Sequence, residues 1–266
     1  MALLKVKYPA INFKKPGLSS WTEELCREME TTFQTGQAAW ANARIADDAI
    51  RYPEYPYVYK YKSIDPAYPE WTQTIFAEKR IWAASLDTFN DPLEAAFVLS
   101  ADLASPKLAA ALSNMAHSNW WGCVSLSSDP VCVQMWAHYA ASHSGICIQY
   151  RRADSFLLCS NNCHPISYRS TTPSVEALDD SIHHVFWTKS DAWEYEREWR
   201  LMYPRANAYL SPGLLVPSGV IFGLRTPREI KKLIKKWAPG IRFGQTVSTK
   251  RPYQLQVRWE NNRDAK

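Results

Sequence analysis

The sequence contains no long uninterrupted apolar run, although 46% of its 266 residues are hydrophobic. A membrane-spanning helix needs about 18 or more consecutive apolar residues, so we expect no transmembrane segment and no membrane partner. The first residues, Met-Ala-Leu-Leu-Lys-Val-Lys-Tyr, have no apolar core ahead of their charges, unlike a secretory signal peptide. The expected location is therefore the cytoplasm.

Glycine is scarce, with 9 residues, and no repeat or low-complexity stretch is visible. Charged residues make up 21% of the chain, which is ordinary for a globular protein and excludes a highly charged disordered one. Aromatic residues are plentiful instead, with 12 Trp, 14 Tyr and 9 Phe. This composition predicts a well-filled core and rings that could also stack on flat ligands.

The six cysteines have irregular spacing, so reduced thiols are expected rather than a disulfide framework. Cys159-x3-Cys163-His164 resembles half of a zinc site, and His183-His184 could supply further ligands. The favoured interpretation is that these are loop cysteines without a metal.

The positive charge is concentrated at the end of the chain. From Gly223 onward, twelve Lys and Arg residues oppose three acids, a net +9, which leaves −4 for the rest because the whole chain carries +5. A basic end on an acidic body favours contact with a polyanion, such as a nucleic acid, a nucleotide or an acidic partner. A solvated basic helix face is an equally good interpretation.

The pattern of apolar and turn residues predicts an α+β fold, with mixed or antiparallel central sheets and flanking helices. Residues 1–50 are expected to form a helical segment and residues 51–266 the main domain, which begins at a Pro-rich connector and includes a basic helix and strand at 226–259. Strands are predicted at 57–62, 81–85, 121–127, 146–150, 196–203, 219–223 and 253–259. Other predictions are a turn at 89–94, a loop or short helix at 188–193, and helices at 106–117, at 131–143 and after a Thr226 cap.

The first motif combines Tyr59-Lys60-Tyr61 with Phe89-Asn90-Asp91-Pro92-x-Glu94. On a strand, Tyr59 and Tyr61 share one face and Lys60 points to the other. Taken alone, the motif is most simply a strand with edge aromatics followed by a tight turn.

The second motif is Met135-Trp136-Ala137-His138-Tyr139-Ala140, followed by Ser142-His143-Ser144-Gly145. On a helix, Trp136 and Tyr139 share one face, and His138 lies on another. His143 falls near the predicted helix end, where a cationic imidazole is favoured. Each histidine is more often structural than catalytic in such a position.

The third motif is Lys189-x3-Trp193-x2-Glu196-x-Glu198-Trp199-Arg200. On a strand, Glu196, Glu198 and Arg200 project from one face. Such a cluster can bind a diphosphate through Arg and a ribose hydroxyl through Glu. The alternative is a salt-bridged strand face, although two glutamates in line repel each other unless something uses them.

Together the motifs resemble the domain-of-unknown-function 2971 family, in order and in spacing. The resemblance runs from about Val58 to the terminal strand and leaves the N-terminal helical segment outside. The layout is also similar, more distantly, to that of ADP-ribosyltransferases, which implies NAD as the substrate.

The second resemblance implies specific roles. Glu198 would be the catalytic glutamate with Glu196 as its partner, Lys60 would take the early basic position, and Tyr139 or Trp136 would stack on the nicotinamide. The sequence differs from that pattern in having Lys at the early basic position and Ser125-Leu-Ser127-Ser128 in place of a Ser-Thr-Ser triplet. The expected catalytic group also includes Tyr139 and His138. The expected NAD-binding group is Lys60, Tyr59, Tyr61, Asn90, Asp91, Trp136, His143, Lys189 and Arg200.

The expected function is ADP-ribosyl transfer from NAD to a nucleic acid or protein, in the setting of a bacterial toxin or anti-phage effector with a possible antitoxin partner. One alternative is a metal-dependent nuclease, in which Asp91, Glu94, Glu196 and Glu198 gather a hard cation and Lys189 contacts the phosphate. Another is a non-enzymatic module that binds nucleic acid or a phage component.

Overall fold

The computed structural model describes residues 46–260, except 66, 117–120, 161, 177–185, 204, 211 and 251–253. Residues 46–51 are helical, in agreement with the end of the predicted helical segment. The remainder of that segment, residues 1–45, lies outside the described residues, and the boundary at residue 50 stays a prediction. No helix within the described residues is both long enough and apolar enough to span a bilayer.

Helices and strands alternate irregularly along the chain, which confirms the predicted α+β class. The helices are α1 (Glu70–Ala77), α2 (Pro106–Ala116), α3 (Val133–Tyr139) and α4 (Arg228–Trp237). The strands are β1 (Tyr57–Lys62), β2 (Trp82–Ala83), β3 (Val98–Leu99), β4 (Gly122–Ser127), β5 (Ile146–Arg151), β6 (Cys163–Pro165), β7 (Ser167–Arg169), β8 (Ser174–Val175), β9 (Thr188–Ser190), β10 (Glu198–Tyr203), β11 (Ala208–Tyr209), β12 (Pro217–Phe222), β13 (Arg242–Ser248) and β14 (Leu255–Trp259). Each predicted strand therefore has an observed counterpart, although the one expected at 81–85 shrinks to two residues.

One eight-stranded sheet organises the described part of the chain, in the order β14-β13-β12-β5-β1-β4-β10-β6. Its neighbours are antiparallel except β12 and β13, which are parallel and are connected through α4. The central strand β5 is buried from Ile146 to Tyr150, because the sheet is covered on both faces there. Smaller two-stranded sheets, β11-β2, β3-β8 and β7-β9, surround this centre.

Helix α4 begins close to the predicted position, but its predicted cap is wrong. Pro227 occupies the N-cap position, and no side chain caps the helix. The Thr226 hydroxyl instead donates a hydrogen bond to the Gly145 carbonyl at 2.7 Å, so it joins the loop before β5 to the loop before the helix. On the helix itself, Ile234 is buried while Lys232 and Lys236 are exposed, as expected for a basic solvent face.

The helix predicted at 131–143 is shorter than expected, because α3 ends at Tyr139. Ala141, Ser142 and His143 all have positive φ, between 47° and 72°, which cannot continue a right-handed helix. At Gly145 a Cβ atom would overlap the Lys62 carbonyl oxygen, so this close approach requires glycine.

The strand predicted at 196–203 also begins later than expected, at Glu198. Glu196 ends a 3-10 helix, Asp191–Glu196, and Arg197 turns the chain with a φ of 45°. The preceding segment, predicted as a loop or short helix, contains both the strand β9 and this 3-10 helix.

Candidate active site

A cleft opens where β1 and β4 separate. The two strands are paired at one position, Tyr59 opposite Ser127, whereas β1 pairs with β5 along its whole length. The cleft has a volume of about 280 Å³. It is lined by Tyr59, Lys60, Tyr61, Thr88, Phe89, Asn90, Ser125, Leu126, Ser127, Met135, Tyr139, Lys189, Glu196 and Glu198. The sheet thus brings all three motifs to one site.

Glu198 and Arg200 form a buried ion pair on β10. They lie opposite Ser127 and Ser125 of β4, so both project from the same face of the sheet. The Arg200 Nε donates to Glu198 Oε1 at 2.8 Å and its Nη2 donates to Oε2 at 3.1 Å. Burial alone would raise the pKa of Glu198, but Arg200 and Lys189 outweigh it and lower that pKa to about 2. Glu198 is therefore an anchored carboxylate at neutral pH.

Lys189 on β9 lies among three carboxylates. Its Nζ is 2.6 Å from Glu196 Oε2, 3.4 Å from Glu198 Oε2 and 3.9 Å from Glu94 Oε2. Burial opposes the ammonium charge, but Glu198 and Glu196 outweigh that effect and raise the Lys189 pKa. The ring of Trp193 lies 4.8 Å from the same ammonium.

Glu94 completes the cluster from the turn after the first motif. Its Oε1 is 2.6 Å from Arg200 Nη1. This contact is ionic rather than a well-directed hydrogen bond, because Nη1 donates its hydrogen bond to the Phe186 carbonyl at 2.9 Å. The cluster formally contains three carboxylates (Glu94, Glu196 and Glu198) and two cations (Lys189 and Arg200). A third cation, Lys60, lies across the cleft, and its ammonium also interacts with the charges of Glu198 and Glu196.

Glu196 holds the side of the cluster that faces α3. Its Oε1 accepts a hydrogen bond from the Tyr139 hydroxyl at 2.5 Å, and that hydroxyl accepts another from the Asn90 side chain at 2.9 Å. Burial and the Glu196 charge together raise the pKa of Tyr139, so the phenol acts as a donor and not as a base. Ser127 donates to the Glu196 carbonyl at 2.7 Å and fixes the backbone.

The β1 motif provides the wall of the cleft opposite Glu196. Lys60 is partly exposed along its side chain, but its Nζ donates to the Ser125 carbonyl at 2.8 Å, and burial lowers its pKa. Tyr61 donates to the Asp129 carbonyl at 2.7 Å, and Tyr59 accepts a hydrogen bond from Gln149 at 3.1 Å.

Some predicted site residues do not line the cleft. Trp136 is fully enclosed and packs its edge against Tyr61, so its ring is not available for stacking on a ligand. His138 is exposed on the outer side of α3. Arg200 lies behind Glu198, and Asp91 accepts a hydrogen bond from the Leu93 amide within its own turn.

His143 also lies outside the lining, and the expectation of a cationic imidazole at a helix end is wrong. The helix has already ended at Tyr139, and burial together with Arg225 lowers the His143 pKa. Its ring is nearly parallel to that of Trp136, with centroids 6.3 Å apart.

The acids proposed for a nuclease metal surround an ammonium instead. Lys189 lies among Glu94, Glu196 and Glu198, while Asp91 serves its own turn. Across the described residues, no group of three or more His, Cys, Asp and Glu side chains is arranged to hold a metal ion. Cys159 and Cys163 are buried, and His183 and His184 lie outside the described residues.

Sequence reasoning does not place three residues that contact the site from outside the cleft lining. Glu94 ends the first motif, but the sequence prediction gives it a role only in the metal alternative. Gln149 and Arg242 are not among the predicted site residues, because neither belongs to a local pattern. The Arg242 guanidinium donates to Gln149 Oε1 at 2.6 and 3.1 Å, a contact made only by sheet pairing.

Comparison with known families gives one match. Residues 135–201, about a quarter of the chain, match a family described as "Protein of unknown function (DUF2971)". The matched segment extends from α3 into β10 and contains Tyr139, Lys189, Glu196 and Glu198. No curated protein and no solved structure matches the chain. The match supports the first resemblance, whereas the similarity to ADP-ribosyltransferases stays a prediction.

Proposed function

We propose that this protein transfers ADP-ribose from NAD to a nucleic acid or protein acceptor. The observation that carries the proposal is the buried cluster of carboxylates, whose Glu196 side chain borders the cleft. Breaking the bond between nicotinamide and ribose develops positive charge on the ribose, and a fixed carboxylate beside that carbon stabilises it.

The geometry favours Glu196 over Glu198 as the carboxylate that faces the substrate. Both oxygens of Glu198 accept hydrogen bonds from Arg200. Each oxygen of Glu196 has a single side-chain partner, Tyr139 on one and Lys189 on the other. In this proposal Arg200 holds Glu198, Glu198 holds Lys189, and Lys189 with Tyr139 holds Glu196. The roles expected for the two glutamates are therefore exchanged.

The cleft suits the nicotinamide riboside half of NAD. Tyr59, Tyr61, Phe89 and Met135 provide flat or apolar walls, and Asn90 provides a polar edge. In the reaction, the C1′–N bond breaks and its electron pair leaves with nicotinamide. An acceptor oxygen or nitrogen forms the new bond to C1′ and releases its proton, which Glu196 can accept.

The test is nicotinamide release from NAD by the purified protein, alone and with RNA, DNA or cell lysate as the acceptor. Glu196→Gln should slow release about 100-fold or more. Glu194→Gln is the matched control, because Glu194 is exposed on the same 3-10 helix. Equal release by wild type and Glu196→Gln would reject the assignment. Label from NAD that appears on the acceptor would distinguish transfer from hydrolysis. The identity of the labelled acceptor would then bear on the toxin or anti-phage role.

A further inference from the structure

Arg242 is an exposed arginine at the start of β13, and its side chain is held flat. The guanidinium carbon lies 3.9 Å from the Trp259 ring centroid and 5.5 Å from that of Tyr57. Nε and Nη2 both donate to Gln149 Oε1, at 3.1 and 2.6 Å. Nη1 has no hydrogen-bond partner among the residues that the structure describes.

Two glycines make room for this arrangement. Gly219 pairs with Arg242, and Gly244 pairs with Trp259. A Cβ atom on Gly219 would lie 3.2 Å from both the Arg242 side chain and the Trp259 ring, and one on Gly244 would lie 3.0 Å from that ring. Larger residues would displace the stack from the sheet, so these positions favour glycine for lack of space.

Gln149 connects Arg242 to the cleft. It pairs with Tyr59 across β5 and β1, and its amide donates to the Tyr59 hydroxyl at 3.1 Å. Tyr59 lines the cleft. Gln149 therefore links the exposed Arg242 guanidinium to Tyr59 in the cleft wall through hydrogen bonds.

The cations inside the cleft are already engaged. Lys189 is surrounded by carboxylates, and Lys60 is bound to a backbone carbonyl. Arg242 makes no salt bridge with any described carboxylate. A guanidinium can stack on a base and donate N–H groups to phosphate oxygens, so Arg242 matches a ligand that is both flat and anionic.

We propose that Arg242, supported by Trp259 and Gln149, forms a nucleotide subsite for the ADP half of the dinucleotide. This inference rests on the proposed function, which places the nicotinamide half in the cleft. Ligand pockets measure about 300–1,000 Å³, so a cleft of about 280 Å³ is small for a whole dinucleotide. The ADP half therefore needs an adjoining surface, and Arg242 offers the unpaired positive charge there.

The test uses ADP as the probe and isothermal titration calorimetry as the readout. Arg242→Gln should weaken ADP binding about tenfold or more, because a charged hydrogen bond and a stacking surface are lost. Binding of nicotinamide riboside should stay unchanged. Trp259→Phe is a second variant that keeps a ring under the guanidinium, and it should retain most of the ADP affinity.

The matched control is Arg228→Gln. Arg228 is exposed on α4, whose Lys231 contacts the Phe222 ring. Neighbouring residues on a strand point to opposite faces, so Phe222 points away from the face on which Ile221 packs with Tyr61. Helix α4 therefore covers the face of the sheet opposite to Tyr61 and the cleft.

Unchanged ADP binding in Arg242→Gln, or no ADP binding by wild type, would overturn the proposal. So would an Arg242→Gln variant that loses affinity for a single-stranded 12-nucleotide RNA but not for ADP, since the surface would then serve nucleic acid. ADP binding that depends on Arg242 in a protein that leaves NAD intact would support the subsite and reject the proposed reaction.

Discussion

Arg200→Met should destabilise the fold strongly, because it removes one of the two cations that form ion pairs with the buried carboxylates. The pKa of Glu198 is about 2, against 4.5 for a free side chain. At about 1.4 kcal/mol for each pKa unit, this difference corresponds to roughly 3 kcal/mol of stabilisation. Removing one partner of a buried ion pair typically costs about 3–5 kcal/mol, so the two magnitudes agree.

The assay is urea unfolding of wild type and variant at several pH values. A lowered carboxyl pKa stabilises the fold above pH 4.5 and loses this effect as the pH falls towards 2. The difference between wild type and Arg200→Met should therefore be largest near neutral pH and should shrink below pH 4.5. The double variant Glu198→Met with Arg200→Met removes both partners of the ion pair and leaves two carboxylates against Lys189. It should be more stable than the single variant.

Two results would refute this reasoning. One is a cost below about 1 kcal/mol for Arg200→Met at neutral pH, which is the range of an exposed ion pair. The other is a double variant that is no more stable than the single one. In either case the cluster would not be held together by its charge balance.

Two further predictions concern single contacts. Tyr139→Phe removes the hydrogen-bond donor to Glu196. It should slow nicotinamide release about tenfold, which is about 1.4 kcal/mol in activation free energy, with little change in melting temperature. An unchanged rate would show that this contact does not position Glu196. Gly145→Ala should lower the free energy of unfolding by about 1–3 kcal/mol in urea titrations, because the new methyl group overlaps the Lys62 carbonyl. An unchanged free energy of unfolding would mean that the loop relaxes without cost.

The sequence allowed the strands to be located where the local pattern is strong. Tyr57–Lys62 is a continuous run of aromatic, Val and Lys residues, and its predicted bounds are confirmed. The helix predicted at 131–143 exceeds α3 by two residues at its start and four at its end, because helical periodicity continues through Ala141, Ser142 and His143. These residues with positive φ lead into Gly145, which packs closely against the Lys62 carbonyl, and such a tertiary contact has no local sequence pattern.

The sequence predicts which residues form the site better than it predicts how they are arranged. The third motif correctly brought Lys189, Glu196 and Glu198 together, although Arg197 turns the chain and removes Glu196 from the strand. Period-two alternation cannot detect such a turn. The contribution of Glu94 depends on a turn docking against β10, which no local pattern encodes.

The most direct test of the central claim is the rate of nicotinamide release from NAD by wild type, Glu196→Gln and Glu194→Gln at equal folded fraction. The account predicts release by wild type and by Glu194→Gln, and a loss of about 100-fold or more in Glu196→Gln, the scale for removing one preorganised electrostatic group. Release that is equal in all three proteins, or absent from wild type with every acceptor, would contradict it.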